Sequence, residues 1–544
     1  MIINQYQPEN ELKNLVEKEQ FQKMDIILDS LDENKKINVE ADFDLLGHIH
    51  HALNLDKYSK KEFRRKLFEQ IPAPMKKKYF EYCRISKNTS IENAIKKSIE
   101  FEWGPNDDTE KFITFFKYPK YLLPTKNNLN NHEPYKMLFD FQFRVAFDAL
   151  KVLKNSFARV LIQMPTGTGK TRTAMELIIG LMNQKNNEFQ IIWFANKAEL
   201  LDQALESFNH LWGHAGKGKI NVIKIWGTEP IPKNLKGKSI IFAGYQKFNS
   251  LKTKIHPNYV FLDEAHQILA PTYEGILNSI IDFRKFTRVI GLTATPGRGI
   301  NRIQNERLVK KFYENIIPIR FDDEELDEQY ENNVVEYLED QGILSKVIPE
   351  PLDTDFTYEL SEEEWKHLTK LVKGDHPDYS KNFLKKLAND NLRNVKIIHA
   401  LRKYAEDGKK ILYFSTDKEQ SKLVYVILQK LGVKAVHVDG ETNKKFRKQI
   451  IENFKKSNEI SVICNYDIFA TGFDVPNLDV VFIARPVNSP VLFNQIVGRG
   501  TRGEKMGGKS EFTLVQVVDK IKSPFLNFKP YEQYGFWDNH WKNE

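Results

Sequence analysis

The chain has 544 residues, 41% of them apolar and 28% charged, with a formal net charge of +8. At about 150 residues per domain this length predicts three or four units rather than one core. No run approaches the roughly 20 apolar residues of a membrane span, so no membrane partner is expected. The polar opening MIINQYQPENELKN lacks the basic-then-apolar order of a signal peptide, which points to a cytoplasmic location. Cys83 and Cys464 are too far apart to suggest a disulfide framework or a paired zinc motif, so a metal is expected to arrive with a substrate. The modest basic excess permits a polyanionic partner without proving one.

Residues 1–130 read as a mainly helical accessory domain of unknown role. It carries basic clusters at Lys57, Lys60, Lys61, Arg64, Arg65 and Lys66, and at Lys76 to Lys78 before Tyr79, Phe80 and Tyr82. Such runs are usually solvated helix faces; phosphate contact and docking of a protein partner are the other uses. From 131 to 320 short apolar runs (RVLIQM, IIWFA, SIIFAG, YVFLD, RVIGLTA) alternate with helical segments, which predicts a parallel sheet covered on both faces. An acidic stretch, FDDEELDEQYENN, opens a helical, charged connector over 321–400. The alternation resumes over 401–520 with KKILYFS, VKAVHV, EISVICN, DVVFIARP and EFTLVQVVD, a second α/β unit. An aromatic tail, 521–544, is expected to pack back onto one unit.

The strand RVLIQM leads into PTGTGKT, comprising Pro165, Thr166, Gly167, Thr168, Gly169, Lys170 and Thr171. Its glycines let backbone amides turn toward an anion, Lys170 supplies charge for β/γ-phosphates, and the Thr171 hydroxyl suits Mg²⁺. Met164 stands where the general pattern has glycine. Further on, NYVFLDEAHQ ends an apolar run in Asp263 and Glu264. Two acids at a strand end are by themselves more often a helix cap. Beside a phosphate loop, Asp263 suits a metal held partly through water and Glu264 suits a base for the attacking water. Near the C-terminus, NQIVGRGTR sets Arg499 and Arg502 among small residues. In isolation that string reads equally as a glycine turn with solvated arginines.

In order along the chain, PTGTGKT, DEAH (263–266) and GLTATPGR (291–298) resemble motifs I, II and III of the superfamily 2 helicases and translocases. ILYFS with DKEQ resembles motif IV, ATGFDVPNLD (470–479) motif V and QIVGRGTR (495–502) motif VI. The resemblance covers about residues 135–520. Its wording is similar to the branch containing XPB and RadD type DNA-repair motors and the motor portions of restriction enzymes.

That resemblance implies an α/β fold of two RecA-like parallel-sheet lobes in tandem, 131–320 binding ATP and 401–520 forming the helicase C-terminal lobe, with the helical N-terminal domain outside them. One ATP with Mg²⁺ would lie between the lobes, and Arg499 and Arg502 would reach it from the second as arginine fingers. A guanidinium at the γ-phosphate can contribute about 10³–10⁵ in rate. Thr293 and Thr295 would couple the nucleotide to lobe closure, His266 and Gln495 would sit at the cleft, and Gly472 and Asp474 would approach ATP. In LFDFQ, Gln142 would read adenine, while Phe139 stands where arginine is usual and could stack on the base. Nucleic-acid contacts are expected from Lys197, Tyr245, Gln246, Thr416, Gly440 and Thr471, mostly to sugar and phosphate. The implied activity is an ATP-dependent helicase or translocase on nucleic acid, DNA rather than RNA, with roles from DNA repair to antiviral defence. The same motifs would also serve an ATP-gated recognition switch, or a motor or sensor subunit whose nuclease is another chain. Two weaker signals, the nuclease-like Pro377, Asp378, Asp407 and Lys409 and the histidines His48, His50 and His51, read as surface or packing residues.

Overall fold

The computed structural model describes residues 61–115, 136–320 and 330–521, apart from short segments at 71–72, 87, 103–105, 156–157, 185–187, 228–229, 231–236, 252–254, 282–286, 298–301, 331–332, 370–378, 457–459, 467, 469–474, 476 and 488. The histidines at 48–51, Lys57, Lys60, Pro377, Asp378, Thr471, Gly472, Asp474 and the tail 522–544 lie outside the described residues.

Two all-parallel sheets organise the chain. The first contains β1 (Arg159–Gln163), β2 (Gln190–Ala195), β3 (Asn221–Ile225), β4 (Ser239–Gly244), β5 (Tyr259–Leu262), β6 (Arg288–Thr293) and β7 (Ile316–Ile317), in spatial order β3-β4-β2-β5-β6-β1-β7. Its strands are apolar on both faces because helices cover both. Val160 and Ile162 join one core layer with the helices Asp140–Leu153, Lys170–Asn183 and Ala198–Ala215, whereas Leu161 joins the opposite layer with Ile276 and Leu308. The second sheet contains β8 (Lys346–Tyr358), β9 (Ile411–Phe414), β10 (Ala435–Val438), β11 (Val462–Asn465), β12 (Val480–Ile483) and β13 (Glu511–Ile521), in order β10-β11-β9-β12-β13-β8. Leu412 and Phe414 face one layer and Ile411 and Tyr413 the other. These are two RecA-like lobes, each built from its own sheet.

The segment read as a helical connector does more than connect. Its helix Val334–Asp340 packs Val334, Val335 and Leu338 into the first lobe's core, and β8 then pairs in parallel with β13 as the edge strand of the second sheet. Pro349 and Pro351 disguise this strand in the sequence; both are tolerated because an edge needs no inward N–H on its free side. Helix Asn391–Glu406 likewise adds Ile397, Ile398 and Leu401 to the second lobe's core.

Ahead of both lobes, helices Lys61–Gln70, Ala73–Tyr82, Ile91–Ser98 and Asp107–Phe115 hold Phe68, Tyr79, Ile95, Ile99, Phe101 and Phe112 in one apolar cluster that runs unbroken into the second lobe. Arg64, counted above in a basic face, lies inside: its guanidinium donates to the carbonyls of Ile99 (2.8 Å) and Phe101 (2.6 Å) and stands over the Phe101 ring. Burial lowers its pKa to about 10. Arg64 therefore offers no open phosphate contact, whereas Arg65 pairs with Glu92 and Glu100 and stays partly exposed. Lys77 and Lys78 are exposed. Among the described residues no helix is long and apolar enough to cross a membrane.

Candidate nucleotide site

The loop between β1 and helix Lys170–Asn183 forms the floor of the site. Gly167 and Gly169 take φ of +94° and +85°, a left-handed backbone that favours glycine. Gly169 caps the helix, so the loop's amides converge at a helix N-terminus, where an anion is favoured. A Cβ on Gly169 would stand 2.5 Å from Gln142 Nε2. Gln142 is itself buried: Nε2 donates to the Thr168 carbonyl (2.8 Å) and Oε1 accepts from the Phe139 N–H (3.0 Å). Its amide therefore braces the phosphate loop and keeps only one N–H and one lone pair for an adenine edge. Phe139 is half-buried and stacks on Phe141. Met164 is buried, donating its N–H to the Thr293 carbonyl (3.1 Å) and accepting from Lys170 Nζ (3.2 Å).

Across this loop lies the end of β5. Asp263 is buried, with one carboxylate oxygen accepting from the Glu264 N–H (3.0 Å). Burial, then the neighbouring Glu264, raises the Asp263 carboxyl to about 7, against the opposing pull of Lys170. Burial likewise depresses Lys170, while Glu264 and Asp263 raise it and Arg499 lowers it. Arg499 of the second lobe thus acts on the lysine of the first. Its Nε donates to the Gln495 carbonyl (3.1 Å).

The lobes meet at the phosphate loop itself. Thr501 Oγ1 lies within hydrogen-bonding reach of the Thr166 carbonyl (3.0 Å) and of the Gly498 carbonyl in its own turn (3.1 Å), and a Cβ placed on Gly498 would fall 2.4 Å from Thr166 Cγ2. Arg502 is half-buried and forms an antiparallel bridge with Leu344. Thr501, Leu344 and Met506 have side chains that line Gly167 and Gly169; Thr501 lies within QIVGRGTR and Met506 just beyond it, whereas nothing in the sequence marked Leu344.

His266 couples the acidic turn to the end of β6. Its Nδ1 lies 3.2 Å from Thr293 Oγ1 and 3.4 Å from Glu264 Oε2. Thr293 already donates its hydroxyl proton to the Thr295 carbonyl at 2.7 Å. It must therefore accept from His266, which assigns the proton to Nδ1.

The residues expected at nucleic acid are more scattered. Lys197 is half-buried at the N-cap of helix Ala198–Ala215 and Gln246 is exposed. Tyr245 is buried and stacked on Tyr273 and Phe194, so its ring presents no free face. Thr416 is wholly buried: its hydroxyl accepts from Arg393 and donates to the Ala484 carbonyl. That hydroxyl is committed inside the lobe rather than offered to a strand. Gly440 is exposed in a loop shaped by Asp439, which accepts from the amides of Glu441 and Thr442. Behind it Ser421, His437 and Asp439 stand in line, Oγ to Nδ1 2.8 Å and Nε2 to Oδ2 3.3 Å, with the ring nitrogens reversed relative to a hydrolase triad. Ser421 is fully buried, so this chain holds a loop in place.

The geometry fits a nucleoside triphosphate with its metal ion. Two glycines with left-handed backbones open the loop, a desolvated lysine faces it, and two crowded carboxylates plus the Thr171 hydroxyl supply the oxygen donors that Mg²⁺ takes. The family profile described as "Type III restriction enzyme, res subunit" matches residues 135–298, and "Helicase conserved C-terminal domain" matches residues 394–504.

The chain belongs to superfamily 2 of the helicases and translocases.

This superfamily 2 chain is 24% identical over 385 residues to the putative ATP-dependent helicase IRC3 of Saccharomyces cerevisiae, with 67% of this chain and 49% of the relative covered. It is 24% identical over 397 residues to the type I restriction enzyme EcoAI endonuclease subunit of Escherichia coli, covering 69% and 45%. A putative ATP-dependent RNA helicase of Methanocaldococcus jannaschii is 23% identical over 462 residues, covering 68% and 56%. The chain spans about half the length of these curated relatives.

Proposed function

We propose that this superfamily 2 chain is a Mg²⁺- and ATP-dependent nucleic-acid motor acting on DNA, with Lys170, Asp263, Glu264, Arg499 and Arg502 carrying hydrolysis. The observation that carries the proposal is the close approach of Thr501 and Gly498, from the loop bearing Arg499, to Thr166 and Gly167 of the phosphate loop. Lys170 would hold the β/γ-phosphates. Glu264 would take the proton of the attacking water. Arg499 and Arg502 would meet the charge that spreads over the γ-oxygens in the transition state, and only in a closed cleft. Magnesium would be held by Thr171 and, through water, Asp263, where it neutralises phosphate charge. Gly472 and Asp474 would complete the second lobe's side. Closing and opening with each turnover would move a strand held across Lys197, Gln246 and Gly440.

The similarity to a restriction-enzyme subunit favours DNA, and the RNA-helicase relative makes RNA the contrast to test. Residues 1–130 would be an accessory domain that docks a protein partner. The type III res-subunit match also favours a second reading, in which the chain is the motor or sensor subunit of a restriction or antiviral defence assembly whose nuclease is another chain; co-purification of a nuclease would support it.

The deciding experiment is steady-state ATP hydrolysis against single-stranded, duplex and forked DNA and RNA at one fixed salt concentration, because phosphate contacts make affinity salt-dependent. Stimulation by DNA above RNA is expected. Equal or greater stimulation by RNA would overturn the DNA assignment, and hydrolysis indifferent to every polymer would overturn the motor.

A further inference from the structure

Glu264 occupies a left-handed backbone, φ +48°, a conformation that costs a bulky residue energy and persists only where neighbours enforce it. It opens a single 3₁₀ turn, Ala265–Leu269, tied down by side chains at two points. One is the His266 contact with Thr293 described above. The other reaches the opposite way: Asn196 Nδ2 donates to Gln267 Oε1 at 2.6 Å.

Asn196 directly follows β2 and precedes Lys197. Strands β2 and β5 are neighbours, with Phe194 beside Leu262 and the Asp263 N–H donating to the Phe194 carbonyl at 2.9 Å. Their C-terminal ends emerge together, and the Asn196–Gln267 bond joins the loops beyond them. Asn196 Oδ1 is buried, and among the described residues no protein donor reaches it. Turning the amide over would only leave the other polar atom unpaired. An unsatisfied buried carbonyl costs about 1–3 kcal/mol, so an apolar pair of the same shape would hold the turn more cheaply. This costly choice lies between a loop placed for phosphate contact and the turn that aims Glu264, which marks it as functional.

We propose that the Asn196–Gln267 hydrogen bond is the link through which a nucleic-acid strand seated at the loop after β2 sets the orientation of Glu264. It rests on the motor function proposed above and names how polymer binding reaches the base. Both side chains are positioning residues. A phosphate drawn to Lys197 shifts the N-cap beside Asn196; Asn196 transmits the shift to Gln267, three residues from Glu264, and the turn settles with the carboxylate aimed at water. The bond is already formed without a strand; what the strand adds is the shift it transmits, and without that shift hydrolysis is slow.

The test uses the full-length chain with Asn196→Leu, Gln267→Leu, their double variant and Gln267→Glu, which keeps an acceptor for Asn196. ATP turnover is measured without polymer and at saturating DNA, together with DNA affinity by fluorescence anisotropy and thermal unfolding to check folding. Expected for the leucine variants are basal kcat, ATP KM and DNA Kd within about twofold of wild type, with DNA-stimulated kcat reduced about tenfold, the scale of a typical coupling energy. The double variant should be no worse than either single one, and Gln267→Glu should retain stimulation. Leucine variants that are stimulated normally overturn the link and leave the motor standing. Basal and stimulated rates falling together, additive losses, or a leucine variant that misfolds while Gln267→Glu is not stimulated, overturn it as well. A wild-type chain that no polymer stimulates overturns both.

Discussion

The hydroxyl of Thr501 lies 3.0 Å from the carbonyl of Thr166, within hydrogen-bonding reach across 335 positions of sequence, so the loop bearing Arg499 rests directly on the loop built for phosphate. Replacing Thr501 with valine keeps the shape and removes this bond while leaving another contact between the lobes, the pair of Arg447 and Glu199 at 3.2 Å, in place. A net hydrogen bond of about 0.5–1.5 kcal/mol corresponds to a two- to tenfold loss in kcat, with ATP affinity unchanged because the phosphate loop is intact. Initial-rate kinetics at saturating and limiting ATP check both halves.

Gly167 and Gly169 should fail differently. A Cβ on Gly169 would meet the Gln142 amide within its own lobe, whereas one on Gly167 would meet Thr501 Oγ1 at 2.9 Å from the other lobe. Gly169→Ala should therefore weaken ATP binding itself, while Gly167→Ala should bind ATP and lose turnover by propping the cleft. Each also carries left-handed backbone strain of about 1 kcal/mol or more. Binding of a fluorescent ATP analogue, set beside kcat, separates the two.

Within the candidate centre, Lys170→Ala should lose nucleotide affinity. Glu264→Gln and Arg499→Ala should keep binding and lose turnover, the arginine by about 10³-fold if it meets the transition state. Wild-type hydrolysis by Glu264→Gln would remove that residue as the base. Single-turnover hydrolysis with prebound ATP reads this without interference from binding.

Acid should weaken the second lobe through His437. Burial lowers its pKa more than Asp439 raises it, so the folded protein binds a proton less readily than the unfolded chain, where histidine titrates near 6.5. The stability this neutral histidine supports is fully present above about pH 6.5 and is lost as pH falls below it, by up to about 1.4 kcal/mol per pH unit. His437→Gln should flatten the dependence. Urea midpoints at several pH values between about 7 and 5 give the comparison, and equal slopes for both proteins would remove His437 as the cause.

Breaking the ion pair of Arg393 and Asp519, whose side chains are 0% and 2% exposed, should be costly. Arg393 also donates to the Thr416 hydroxyl and the Ala484 carbonyl. Asp519→Ala leaves that guanidinium uncompensated and should cost about 3–5 kcal/mol, visible as a lower unfolding midpoint.

How much of this was legible depended on sequence distance. The phosphate loop, the acidic turn and the alternating strands are local patterns, and the two lobes follow from them. The Thr501 contact is not local, and nothing in GRGTR says which of its residues meets the first lobe. β8 was hidden because Pro349 and Pro351 are signals against a strand in any but an edge position. Arg64 looked like part of a solvated face because a run of basic residues carries no mark of which one turns inward. Tyr245 and Thr416 show the same limit: a motif's position fixes where the backbone passes and leaves open the direction of the side chain.

The chain leaves the first lobe's core at Leu344 and enters the second sheet at Lys346, so Ser345 is the whole width of the passage. Its hydroxyl lies within hydrogen-bonding reach of the carbonyls of Arg502 and Lys509. The pivot and the arginine loop are thus fastened to each other and not merely to a common body. Any swing of the second lobe about this point carries the arginines with it on a short lever arm: a few degrees of rotation translate into a small, well-defined advance or retreat of Arg502, with little chain between them to stretch and absorb the motion.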